Sequence, residues 1–390
     1  MTLNVLMLST LFPDISRPNF GVFVERQARE LASRAEATVT VVAPVGLPPW
    51  PLSLSARYAP LRALPRKERW RELTVYRPRF PIIPKFGGRT NVTTMTRAIL
   101  PLIRRLHAEQ PFDVIDASFF FPDGPVAQRL SKALGIPYSV KARGADIHHW
   151  GTQRGTRKLV RMAGQGADGL LAVSDAMRRS MVRMGMEEDK IRVHYTGVDL
   201  DTFEIEDRAT AKAALGFDGP VVLCVGALIP RKGQDLLVRA LQQLPDVTLL
   251  LAGQGQYRRT LEHLAQELGV ERRIGFLGSV PHHKLPRIYS AADVMALPSS
   301  SEGLANAWVE ALACGTPIVI TDVGGARELV DRPEAGQIVA REPEAIADAI
   351  RAILDTPPDR SAVRQTALRF TWTANGDTLL SHLQQIAARG

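Results

Sequence analysis

Short β-branched apolar runs alternate with longer stretches of helical spacing almost throughout this sequence, and nothing else in it limits the possible folds so strongly. Residues 3–9, 38–42, 114–117, 138–142, 170–174 and 191–195 read as strands, and segments such as 21–33 and 125–134 read as the helices between them. Parallel strands need crossovers of about a dozen residues or more, so the pattern calls for parallel sheets covered by helices. A second series begins at 221–225 and continues through 247–252, 274–276, 294–297, 317–320 and 337–339. Two such series in 390 residues predict an α/β protein with two doubly wound parallel-sheet domains, 1–197 and 208–370, joined by a linker at 198–207. The final stretch, 371–390, is amphipathic through Trp372, Leu379, Leu380, Leu383 and Ile386 and reads as a helix. It either packs on the second domain or returns to the N-terminal one. Residues 44–65 hold six prolines and break the alternation, which predicts a surface excursion after the second strand.

Apolar runs such as 221–225 and 248–252 fall far short of the roughly 18 residues of a membrane span, and residues 1–4 lack the basic start of a secretory leader. Cys224 and Cys314 sit in apolar surroundings without a second cysteine or a histidine at ligand spacing. They read as buried thiols in a reducing, cytoplasmic compartment. The net charge of +9 is uneven: residues 1–200 carry 30 Lys and Arg against 17 Asp and Glu, and residues 201–390 carry 19 against 23. Residues 51–100 concentrate the excess, with Arg57, Arg62, Arg66, Lys67, Arg69, Arg71, Arg77, Arg79, Lys85, Arg89 and Arg97 against Glu68 and Glu72. Trp50 and Trp70 lie among them. Such a stretch is either a solvated arginine-rich face or a surface for anionic lipid headgroups; nucleic acid would also suit the charge, but no nucleic-acid reading module is present.

The run 299–317, SSSEGLANAWVEALACGTP, carries the strongest chemical signal. It follows the strand 294–297, is punctuated by Pro298, and turns at Gly303 into a helix starting near Ala305. A helix N-terminus beyond the carboxyl end of a parallel strand offers unpaired amides and a positive dipole end, which suits a diphosphate. Glu302 lies at that mouth and Glu310 lies further along the helix, placed to bind hydroxyls; taken alone, the pair could equally be solvated or helix-terminal carboxylates. Arg231-Lys232-Gly233, after the strand 221–225, brings two cations to a strand end. Arg143 and Asp146 follow the strand 138–142, either in a binding role or as an ion pair that shapes the loop.

Glu302 and Glu310, with seven residues between them, resemble the Glu-x7-Glu motif of retaining family 4 glycosyltransferases. The likeness extends through Gly21 with Phe23-Val24, Ser174-Asp175-Ala176-Met177, Gly197-Val198-Asp199 with Phe203, Gly226 through Gly233, Ala252-Gly253-Gln254-Gly255, Phe276-Leu277-Gly278, 288–293 and Thr321-Asp322-Val323-Gly324-Gly325. The resemblance implies a GT-B fold, two Rossmann-like domains facing across a cleft, and a metal-independent, configuration-retaining transfer of a sugar from a nucleotide-sugar donor. It implies that Glu310 binds the donor ribose, Glu302 the transferred sugar, and Arg231 with Lys232 the diphosphate. Gly21, Gly226, Gly253, Gly255, Gly303, Leu304, Ala305 and Asn306 would line the donor site. Two departures stand out: Ala227 occupies a position where many relatives have arginine, for which Arg231 would substitute, and Arg143 lies where many have histidine. A guanidinium can bind a sugar or an acceptor phosphate but cannot act as a base, which turns attention to Asp146 as the acidic partner. The acceptor expected from the basic first domain is a saccharide or lipid-linked saccharide reached from the inner face of the cytoplasmic membrane.

Asp199-Leu200-Asp201 imitates a metal-binding Asp-x-Asp but reads as a turn, and His148-His149 and His282-His283 lack partners at ligand spacing. Gly253-Gln254-Gly255 begins like a dinucleotide fingerprint, yet Arg258 holds the third glycine position, which argues against a nicotinamide dehydrogenase. No nucleophile elbow or phosphate-binding P-loop is present. A nucleotide-sugar epimerase would turn over donor without acceptor, and a nucleotide-binding pseudoenzyme would bind donor and transfer nothing.

Overall fold

The structure is a computed structural model that describes residues 2–83 and 87–389. Of the basic residues counted above, Lys85 and the side chain of Arg89 lie outside what is described. The chain forms two compact units, Met1–Gly197 with Trp372–Gly390, and Val198–Thr371.

The first unit contains Leu3–Leu8 (β1), Ala37–Val42 (β2), Val45–Leu47 (β3), Lys67–Trp70 (β4), Leu73–Tyr76 (β5), Arg79–Pro81 (β6), Val114–Ala117 (β7), Tyr138–Ala142 (β8), Gly169–Ala172 (β9) and Ile191–Val193 (β10). Eight of them form one sheet in the order β10-β9-β8-β7-β1-β2-β5-β4, parallel except for the β4/β5 hairpin. Strands β7, β8 and β9 are buried at every residue, as expected for a sheet covered on both faces. In the second unit, Val221–Val225 (β11), Thr248–Ala252 (β12), Ile274–Gly278 (β13), Val294–Leu297 (β14), Ile318–Thr321 (β15) and Gly336–Val339 (β16) form a parallel sheet in the order β13-β12-β11-β14-β15-β16. The strand order reverses at β1/β7 in one unit and at β11/β14 in the other. At such a reversal the flanking crossovers leave in opposite directions and open a crevice at the carboxyl edge, where ligands of this architecture bind.

The excursion expected at 44–65 is partly sheet: β3 pairs in parallel with β6, and the hairpin just beyond it extends the main sheet beside β2. The sequence concealed β4 because Lys67-Glu68-Arg69-Trp70 carries charge at three of four positions, a composition that suits a sheet edge. Part of the basic excess is internal as well. Arg77 is buried, with its Nε 2.5 Å from Glu68 Oε1 and its Nη2 donating to the Pro13 carbonyl at 2.7 Å. Arg79 donates to the carbonyls of Arg77 and Leu64.

Residues 198–207 belong to the second unit. Phe203 is fully buried, the Arg364 guanidinium binds the carbonyls of Leu200 and Phe203, and Asp207 caps helix Arg208–Leu215 through the Thr210 amide. Asp199 accepts from the Thr202 amide and hydroxyl at 3.1 and 2.8 Å, which makes its stretch a turn. The C-terminal helix, Trp372–Ala387, belongs to the first unit. Its Leu379, Leu383 and Ile386 complete the core formed by β1, β2 and helix Val22–Ala32 of the first.

Candidate active site

In the second unit the loops after β11, β12, β14 and β15 meet at the carboxyl edge of the sheet, and glycines allow the contact. A Cβ on Gly253 would come within 1.8 Å of the Gly226 carbonyl oxygen, and one on Gly255 within 2.0 Å of the Leu228 oxygen. Gly226 and Leu228 donate back to the carbonyls of Ala252 and Gln254. The role of Gly253 and Gly255 in this structure is therefore close backbone approach. Gly324, at φ 54°, lies against the carbonyls of Glu302 and Gly303, and Gly325 donates to the latter at 2.7 Å, so the Thr321–Gly325 motif supports the loop from behind. Helix Asn306–Ala313 begins directly after Ala305, and Leu304 is buried.

Glu302, 9% exposed, is gripped from the β11 side: Lys232 Nζ lies 2.6 Å and Arg231 Nη1 3.4 Å from its Oε1. Arg231 also donates to the Ser301 carbonyl. The positive φ of Gly233 brings its Cα against the Pro298 carbonyl and so fixes where these two cations project. Glu302, Arg231 and Lys232, predicted from distant stretches, thus form one charged cluster beside a helix N-terminus. The Ala227 carbonyl accepts from Gln234 at 3.0 Å.

Glu310 has partners that sequence reading missed. Its Oε1 lies 2.9 Å from His282 Nε2, and its Oε2 accepts from the Tyr289 hydroxyl at 3.0 Å. Phe203 packs edge-on against the His282 ring. Burial, then the Glu310 charge, push the Tyr289 phenol well above its ordinary range, so it remains a donor. A carboxylate offers about four acceptor sites, so two donors orient Glu310 and leave capacity for hydroxyls. His282-His283 lacks partners at metal-ligand spacing, and nothing in the local sequence points to a carboxylate 28 residues away. Cys224 and Cys314 are buried, and burial pushes both thiols up to about 12. Among the described residues no cluster of three or more His, Cys, Asp or Glu could hold a metal ion, and no helix is long and apolar enough to cross a membrane.

Gly21, Arg143 and Asp146 lie in the first unit. Gly21, at φ 72°, precedes helix Val22–Ala32 and fits against the Leu11 carbonyl, where a Cβ would stand at 2.5 Å. Asp146, fully buried, accepts from the amides of Arg143, Gly144, Ile147 and Phe120 at 2.7–3.2 Å. Burial raises its pKa against those hydrogen bonds. It therefore holds the loop after β8, rather than standing as a free acidic partner. Arg143 Nε donates to the Ser118 carbonyl at 2.8 Å, and the guanidinium lies 4.7 Å from the Phe23 ring centroid. Burial lowers its pKa to about 10. Behind it are buried polar groups that the sequence reading passed over: Gln27, Lys141, His194 and Asp116. A lysine inside strand β8 is the one signal that could have exposed them.

Two Rossmann-like units, each with its strand-order reversal, and a carboxylate pair with seven residues between its members and two cations on the first of them, define a GT-B glycosyltransferase. The family described as Glycosyltransferase Family 4 matches residues 21–202, and Glycosyl transferases group 1 matches 207–370. A GDP-mannose-dependent alpha-(1-6)-phosphatidylinositol monomannoside mannosyltransferase of Mycolicibacterium smegmatis is 31% identical over 80% of this chain and 90% of its own length. A D-inositol 3-phosphate glycosyltransferase of Mycolicibacterium gilvum is 38% identical over 55% of this chain, a match that spans about half, 51%, of that relative. The solved sucrose-phosphate synthase from Thermosynechococcus elongatus shares the fold with a TM-score of 0.82 at 23% identity, covering 100% of both chains. The chain belongs to glycosyltransferase family 4.

Proposed function

We infer that this protein transfers a hexose-type sugar from a nucleotide-sugar donor to a saccharide or lipid-linked saccharide, in surface polysaccharide synthesis, with retention of configuration and without a divalent metal. The observation that carries this reading is the cluster at the β11/β14 reversal. Lys232 and Arg231 supply positive charge where a diphosphate would leave, and the helix Asn306–Ala313 adds its N-terminal dipole. In this reading Glu310, oriented by Tyr289 and His282, binds the ribose hydroxyls, Glu302 binds the transferred sugar, and the departing diphosphate takes the acceptor proton. No general base is then required of the protein, whose contribution is positioning and charge stabilisation.

The first unit binds the acceptor in this reading, and Arg143 offers its guanidinium to a hydroxyl or phosphate there. The two mycobacterial relatives, one named for a phosphatidylinositol mannoside and one for an inositol phosphate, support an acceptor that carries a phosphate, a lipid or both. The exposed Trp50, Leu52 and Leu54 beside exposed Arg57, Arg62 and Arg66 support reversible docking on the anionic inner face of the cytoplasmic membrane. A thermal-shift series with UDP, GDP and ADP sugars, run with and without EDTA, tests the donor assignment. One class of donor should raise the midpoint equally in both conditions. Stabilisation that vanishes with EDTA and returns with manganese refutes metal independence, and the anomeric configuration of the product, read by NMR, tests retention.

A further inference from the structure

In the first unit a directed chain of hydrogen bonds runs from the C-terminal helix, through the interior, to Arg143. The Asn375 carbonyl can only accept, so His194 Nε2, 3.0 Å away, carries the hydrogen and Nδ1 offers a lone pair. Lys141 Nζ donates to that Nδ1 at 2.9 Å and to Gln27 Oε1 at 3.1 Å. The same Oε1 accepts from Arg143 Nη2 at 3.1 Å. Lys141, Gln27 and His194 are each at most 1% exposed. Asp116, fully buried with neither oxygen hydrogen-bonded, adds a carboxyl group that interacts electrostatically with Lys141 and Arg143. A lysine amine in a buried strand is costly to desolvate, burial driving its pKa well below the ordinary value, and an apolar side chain of similar volume would fill the space without that cost. The geometry gives the Lys141 Nζ a use: it donates to one lone pair of Gln27 Oε1 and so keeps the amide oxygen turned toward the guanidinium that occupies the other. A flipped amide would set an NH2 group against two donors.

We propose that Gln27 and Lys141 are positioning residues that fix the Arg143 guanidinium in the orientation in which it meets the acceptor or the transferred sugar. The proposal rests on the reading of Arg143 given above. Ser118 and Phe23 hold the same guanidinium at its Nε and its face, so Gln27 sets the remaining freedom, rotation of the Nη groups.

The test compares Gln27→Leu, Gln27→Glu, Lys141→Met, Arg143→Ala and the Gln27→Leu/Arg143→Ala double variant. Turnover is measured with the nucleotide sugar selected by the thermal-shift series. Nucleotide binding, which the second unit carries in this reading, and the thermal midpoint serve as folding controls. Arginine side-chain 15N NMR, with the Arg143 signals identified by their loss in Arg143→Ala, reports the guanidinium directly. Gln27→Leu should lower turnover about 10-fold to 100-fold at unchanged nucleotide affinity and merge the separate Nη signals of Arg143. Gln27→Glu keeps an acceptor oxygen and should retain most of the turnover. In the Arg143→Ala background Gln27→Leu should add nothing, because a residue that acts through another has no effect once that other is gone. Full additivity, or a Gln27→Leu protein with normal turnover and unchanged Arg143 signals, overturns the proposal. Normal turnover in Arg143→Ala refutes instead the role given to Arg143, and the NMR comparison still decides whether Gln27 orients it. If Gln27→Leu does not fold, Lys141→Met and Gln27→Glu supply the same contrast in NMR and turnover.

Discussion

Replacing Lys232 with methionine separates the ion pair its ammonium makes in the second unit from the role in turnover proposed for it. Lys232 and Glu302 meet at 2.6 Å with side chains only 13% and 9% exposed. Without the ammonium the carboxylate keeps a single cation, Arg231, at 3.4 Å and 41% exposed. A buried carboxylate stripped of its only partner costs about 3–5 kcal/mol. Because a guanidinium remains, the loss should be smaller, about 1–3 kcal/mol. At about 2–4 °C per kcal/mol for a domain of this size, the melting midpoint of the second unit should fall by several degrees. Arg231→Ala removes the longer and more exposed contact and should cost under about 1 kcal/mol. Turnover should not follow that order, since in the proposed reaction each change deletes a charge-stabilising donor at the leaving diphosphate, worth about 100-fold to 1,000-fold in rate. Calorimetry for the midpoints and initial rates of nucleoside diphosphate release for turnover check both halves. Equal stability losses in the two variants would refute the burial argument, and near-normal turnover in Lys232→Met would refute the diphosphate assignment.

Three further outcomes are expected. The double change Ala227→Arg with Arg231→Ala should recover part of the rate lost in Arg231→Ala, by initial-rate assay; no recovery would show that a guanidinium at 227 cannot reach the same charge. His382 is buried, with its Nε2 2.9 Å from Ser139 Oγ, and burial lowers its pKa from 6.5 to about 3. Between those values the unfolded chain binds a proton that the folded chain refuses, so stability is lost as pH falls below about 6.5, by about 2 kcal/mol at pH 5. Urea unfolding at pH 7.5 and 5.0 should show that loss and a smaller one in His382→Gln, with buried His194 accounting for part of the remainder; an identical pH slope in the variant would count against it. Replacing Arg62, Arg66, Lys67 and Arg69 with Glu should release the protein from anionic vesicles in a flotation assay, since each basic residue near such a surface contributes about 1 kcal/mol, while nucleotide binding stays intact. Arg77 and Arg79, committed to internal contacts, should contribute nothing to that release. Unchanged vesicle binding would leave the stretch as a solvated face.

The sequence by itself determined the α/β class and the two series of strands, and it singled out Glu302, Glu310, Arg231 and Lys232 for the proposed site, because each signal is written locally. Alternation of apolar runs reports which faces are buried, and the Glu-x7-Glu spacing lies within one loop and one helix. The edge hairpin escaped because β4 carries charge on an exposed edge and so lacks the apolar alternation by which strands are recognised. What completes the site depended on the tertiary structure alone. Tyr289 and His282 reach Glu310 across 21 and 28 residues, Lys141 reaches Gln27 across 114, and Asn375 reaches His194 across 181. Periodicity along a chain tells that a side chain is buried but not what waits for it there. For a polar group that partner decides the chemistry: Asp146, proposed from sequence as an acidic partner, is turned into a loop brace by four backbone amides, while Lys141, overlooked in strand β8, stands behind the guanidinium that the first unit offers in the proposed reaction.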